Sequence, residues 1–180
     1  MASDTSFGGS PWRIAGWGLA ALVILTPFLA MQFTSGVNWT GSDFIFAALL
    51  IGGVGLLFEL TVRMSNSRYY RAGVGLALAA GFLTIWASGA VGMIGNEDNP
   101  LNLMFGGVLG IALLGSAIAG FRPAGMVRAM AAAAAAQLVA SMIGMFTDFR
   151  GGIFSALFSI MWLASAALFR TASQQRSIAA

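Results

Sequence analysis

The chain has 180 residues, 58% hydrophobic and only 8% charged, with a formal charge of +3. A soluble domain carries roughly 25% charged residues, so this composition excludes a water-solvated globule, and the scattered arginines exclude a nucleic-acid-binding patch. Cys, His and Lys are all absent, which excludes disulfides, thiolate catalysis, Ser-His-Asp chemistry, a retinal Schiff base and imidazole- or thiolate-held haem, chlorophyll, zinc or copper.

Long apolar runs without period-two alternation are membrane helices, because a backbone in lipid must satisfy itself. In chain order they fall at residues 12–33, 44–62, 72–94, 103–121, 126–146 and 153–169. The last is short against the roughly 17–25 residues of a span, but it is free of charge. The first is too long for a signal-peptide core, and its leader carries Asp4 and only one arginine, Arg13, so it reads as a retained anchor. The fold expected is therefore all-α: an integral membrane bundle of about six helices. Residues 1–11 form a leader, 12–170 the transmembrane domain and 171–180 a tail.

Arginine placement sets the orientation. With six spans, Arg13, Arg63, Arg68, Arg71, Arg122, Arg128, Arg170 and Arg176 share one side and only Arg150 lies on the other, with Asp43, Glu97, Asp98 and Asp148. The expectation is a bacterial inner-membrane protein with both termini in the cytoplasm and an acidic outer face. Trp12, Trp39, Tyr69 and Tyr70 fall near the expected interfaces. Ser42 or Asp43 is placed to cap the second span, and Asn99 the fourth, with Pro100 at its first position. Pro27 is expected to kink the first span, and short connections to make consecutive helices antiparallel neighbours.

Small residues mark helix-packing faces. Gly106, Gly110, Ser116 and Gly120, with Ala112, line the fourth span; Ala132, Ala136, Ala140 and Gly144 line the fifth, within and beyond the alanine run 131–136. Arg13, Arg71 and Arg128 each open a span, and Arg63, Arg122 and Arg170 each close one, which suggests three tandem two-helix hairpins. The plainer alternative is that helices of one length with arginines at one end look alike.

Few residues carry chemistry. Glu59 is the one carboxylate inside a span, and Arg63 at i+4 makes either a snorkelling ion pair or part of a proton or cation relay. Gln137 lies mid-span and is expected to hydrogen-bond a neighbouring helix. Asp43, Glu97, Asp98, Asn99 and Asn102 supply oxygen ligands on the outer side for a cation or polar solute, the alternative being solvated or capping side chains. Trp39 would pack over that loop or anchor at the interface. The motifs of intramembrane proteases, G-x-G-D, G-x-S-G with His and H-E-x-x-H, are absent.

Trp39-Thr40 with Asp43-Phe44, Phe58-Glu59-Leu60, Glu97-Asp98-Asn99-Pro100 with Asn102-Leu103-Met104, and Phe121-Arg122-Pro123 with Gly125-Met126 and Arg128-Ala129 resemble a group of small bacterial inner-membrane proteins without an established activity. The resemblance covers roughly residues 38–130, most specifically E-D-N-P-x-N-L-M. It implies a location and an architecture and no catalytic role. The reading that follows is a non-catalytic protein, an accessory, assembly or scaffold subunit of a membrane complex or a homo-oligomer. The alternative is a small transporter or channel whose path uses Glu59, Gln137, Asp43 and the outer acidic loop, with a discontinuous helix at Pro27. An enzyme of lipid or prenyl chemistry is the weakest class. No resident cofactor is expected, although the composition is compatible with a carotenoid, quinone or lipid held by apolar contact. The partners expected are the bilayer and a membrane protein or second copy.

Overall fold

The computed structural model describes residues 11–178, without the side chains of residues 11, 12 and 64. The leader with Asp4 and the Trp12 interface reading therefore lie outside the described residues. The elements are helices α1 Pro11–Ala30, α2 Gly41–Met64 and α3 Arg68–Ala90, a 3-10 turn Pro100–Asn102, then α4 Leu103–Ile118, α5 Pro123–Met145, α6 Phe149–Ala156 and α7 Phe158–Ile178. Among the described residues there is no strand. Six segments are long and apolar enough to cross a membrane, with α6 and α7 together making the sixth.

The second unit buries a few polar side chains within an apolar core and turns a broad apolar surface outward. Thr84, Ser116, Gln137, Ser141, Ser155 and Ser165 are buried, while Leu113, Leu114, Ile118, Ile160 and Leu163 are exposed. Water would disfavour so much exposed apolar surface and lipid favours it; the buried polar groups bond to their own helix, as Thr84, Ser116 and Ser141 do, or to another, as Gln137 and Ser165 do. The chain is an all-α, multi-pass membrane protein.

The chain divides into two compact units, residues 1–57 and 58–180. In the first, α1 and α2 run antiparallel. The Trp17 indole lies over Gly55, and at the other end the Phe28 and Phe44 rings meet edge to face at 6.4 Å. Pro27 does not break α1. It sits in the last turn before Ala30, where Met31 N–H still reaches the Pro27 carbonyl.

In the second unit α5 is central, packed against α4, α6 and α7, while α3 lies along α7. Its buried face is Met126, Met130, Ala133, Gln137, Ala140 and Gly144. That is one helical step away from the face expected at 132 and 136, and Ala132 is exposed. The reason is steric: Gly144 receives the Ile94 side chain, and Ala129 meets Gly115 of α4. Facing helices use steps of three and four as well, Phe105, Val108, Ala112 and Ser116 on α4 and Phe158, Trp162, Ser165, Phe169 and Ala172 on α7. The middle pair departs from a closed hairpin, because α3 and α4 touch only lightly. The long connection after α3 lets α3 settle on α7 instead, where Ser165 Oγ donates to the Gly73 carbonyl at 2.8 Å.

The last span, expected as one helix, is broken at Leu157 and continues to Ile178. No proline marks the break. The carbonyls it frees are taken by side chains: Gln137 Nε2 donates to Ser155 O at 2.9 Å, and Ser159 Oγ to Ala156 O at 2.6 Å. A discontinuity at this depth is tolerated only where such partners exist.

Candidate functional site

Glu59 and Arg63 stand one turn apart on α2, and Arg63 Nη2 donates to Glu59 Oε1 at 2.6 Å. The carboxylate side chain is 16% exposed and the guanidinium side chain 64%. This is the geometry of a snorkelling pair, with the arginine head outward and the carboxylate against the helix. Beside it, Arg71 closes the end of α2. Its Nη2 donates to Val62 O at 2.8 Å and its Nε to Ser65 O at 2.5 Å, satisfying carbonyls that helix ends leave open.

The outer oxygen ligands are spread over separate local tasks. Asp43 Oδ2 accepts from the Thr40 N–H and from Thr40 Oγ1, both at 2.7 Å, so it reaches back from the first turn of α2 to the preceding residue. Trp39 packs edge to face on Phe44 at 5.2 Å in the same unit. In the second unit, Asn99 Oδ1 accepts from Leu101 N–H at 3.0 Å and caps the 3-10 turn, with Pro100 first in it. Glu97 and Asp98 are exposed. Asn102 is buried: its Oδ1 accepts from Met93 N–H at 3.0 Å and Ile94 N–H at 2.9 Å, and its Nδ2 donates to Asn96 O at 2.7 Å. One amide thus holds the whole turn after α3, which Gly92 starts at φ +74°. A side chain there would collide with the Asn96 backbone. Among the described residues no group of three or more carboxylates gathers into a metal-holding cluster.

Two features escape sequence reasoning. Asp148 ties the two outer turns together, with Oδ2 accepting from Gly95 N–H and Oδ1 from Gly151 N–H, each at 3.0 Å. These donors, Gly151 first and then Gly95, hold its carboxyl below the usual aspartate range. An aspartate followed by Gly151-Gly152 was the available signal for a helix cap; its long-range partner had none. The second feature is a polar knot at the broken helix. Besides the Gln137 bond, Ser155 Oγ donates to Ser141 Oγ at 2.9 Å and Ser141 Oγ to Gln137 O at 2.7 Å. The expected cross-helix role of Gln137 is met by the backbone of Ser155, not by another side chain.

Comparison with family models, with curated proteins and with solved structures returns no match. The reading of this chain therefore rests on its own geometry.

Proposed function

We propose that this protein is a non-catalytic subunit or homo-oligomer of the bacterial inner membrane, with both termini cytoplasmic, that works by packing against other membrane helices. The observation that carries the reading is the glycine face of α4. A Cβ at Gly106, Gly107 or Gly110 would meet nothing within 4 Å, so these three glycines, unlike Gly115 against Ala129, accommodate no neighbour in their own bundle. Glycine is costly in a helix interior, by about 1 kcal/mol relative to alanine, and it is placed on membrane helices where another backbone must come close. The resemblance of residues 38–130 to small bacterial inner-membrane proteins and the arginine distribution support the location and orientation.

The transporter reading draws less support. Several polar residues it would use are engaged by neighbours: Glu59 with Arg63, Asp43 with Thr40, Asn102 with the turn after α3 and the Gln137 amide nitrogen with the helix break. The feature that favours it is the discontinuous α6–α7, since transporters place such breaks at substrate sites.

The test is extraction of native membranes in mild detergent and mass spectrometry of the intact assembly. A stoichiometric partner or a defined oligomer is the expected result. A lone monomer, coupled with solute flux in proteoliposomes that Gln137→Leu abolishes, would overturn the reading in favour of transport.

A further inference from the structure

Tyr70 was placed by sequence among the interface anchors, yet its side chain is turned inward. The hydroxyl donates to the Phe121 carbonyl at 2.7 Å, and the ring meets Phe169 edge to face at 5.3 Å. The Arg176 guanidinium lies within electrostatic reach of the same hydroxyl. One side chain therefore gathers the start of α3, the α4–α5 turn and the last turns of α7. Arg122 follows Phe121 and Arg170 follows Phe169, so this staple brings three exposed arginines to one end of the second unit.

We propose that Arg122, Arg170 and Arg176, gathered around Tyr70, form a binding site for the phosphate of an anionic phospholipid headgroup. Three observations carry the assignment. Among the described residues none of the three arginines forms an ion pair, and the carboxylate at this end of the unit, Glu59, is engaged by Arg63. The α4–α5 turn is held in an unfavourable shape: Phe121 has φ +56°, a left-handed conformation that a bulky residue rarely adopts. Its carbonyl is fixed on Tyr70 and Arg122 follows directly, so the strain is spent on positioning this rim. Finally, the residues beside the arginines are exposed and apolar, Ile118 at 88% and Phe121 at 55%. A ligand with a phosphate and acyl chains meets both surfaces, whereas free phosphate meets only the first.

The chemistry fits. Guanidinium presents a planar fork of donors that matches phosphate oxygens bidentately and is weakly hydrated enough to work at a membrane surface. Basic pockets between helices at the cytoplasmic interface recognise acidic headgroups in this manner. The site does not depend on the subunit reading, since its three arginines lie outside α4 and Ile118 is at the opposite end of that helix from Gly106 and Gly110.

The test is a lipid titration of the delipidated full chain in mild detergent, read by native mass spectrometry. Phosphatidylglycerol and phosphatidylcholine with matched acyl chains are the probes, with inorganic phosphate as competitor. The expected result is preferential retention of phosphatidylglycerol, weakened about fivefold by each of R122Q, R170Q and R176Q and about a hundredfold by the three together. R150Q, at the opposite end, leaves retention unchanged. The single variants keep the test valid if the triple variant does not fold. Equal retention of the two lipids, unchanged retention in the arginine variants, or full displacement by millimolar phosphate would overturn the proposal.

Discussion

A single amide decides the shape of the outer end. Asn102 accepts from two buried backbone N–H groups and donates to the Asn96 carbonyl, so a non-helical stretch at the membrane edge has its polar groups satisfied by one side chain. Asn102→Ala leaves Met93 and Ile94 N–H buried without these acceptors, since both residues are almost fully inaccessible. The expected loss is about 1–3 kcal/mol for each uncompensated group, seen as a lower midpoint in thermal unfolding in detergent; an unchanged midpoint contradicts the role. Asp148 makes a related tie that depends on pH. Its carboxyl is held below the ordinary value by the Gly151 and Gly95 N–H donors. Its contribution is therefore complete above about pH 4, the ordinary aspartate value, and is lost as the pH falls through the lowered native value. Amide exchange at Gly95 and Gly151, corrected for intrinsic rates, should accelerate over that range in the native chain. In Asp148→Asn it should show no such step. Of these residues, Asn99 with Pro100 and Glu59 with Arg63 were legible in the sequence, because a cap and an i+4 pair are local. Asn102 read as a cation-binding, capping or solvated oxygen and Asp148 only as a charge on the acidic outer side, because Asn102 and the Oδ2 of Asp148 find their partners on other turns.

At the scale of elements, hydropathy and length located all six spans, since lipid imposes one minimum length on every helix. What they could not give was register. The alanine run 131–136 presents a similar surface on every side, so only the fit of Gly144 to Ile94 and of Ala129 to Gly115 fixes which side faces inward. The break at Leu157 was equally hidden, because the Gln137 amide that bonds the Ser155 carbonyl there sits on another helix. The α5–α6 corner depends on a close approach of backbones. A Cβ on Gly152 would lie 2.8 Å from Met145 N and 2.9 Å from its Cα. These are main-chain atoms and do not swing aside. Gly152→Ala is therefore expected to destabilise by about 1–3 kcal/mol, as overpacking does, while Gly53→Ala, where nothing lies within 4 Å, should not. Equal melting behaviour of the two variants would mean that the corner relaxes freely.

For the whole molecule, the glycines fall into two kinds. Gly144 and Gly152 accommodate neighbours inside the bundle, and Gly106 and Gly110 accommodate nothing described in this chain. Sequence spacing identified the second pair as a packing motif, but it could not say that these glycines meet no neighbour in the second unit. If a partner helix sits there, the double variant Gly106→Leu and Gly110→Leu will block it, because leucine side chains hold the backbones apart. The same change removes two flexible positions from a helix interior, so the isolated chain should be as stable as the original or more so, by up to about 1 kcal/mol per site. The signature is thus a pair of opposite effects: a melting midpoint that holds or rises, and an assembly that falls to monomers in native mass spectrometry. A drop in both would mean that the face belongs to the fold after all. An intact assembly with a raised midpoint would assign the face to lipid, and the subunit reading would lose the observation on which it stands.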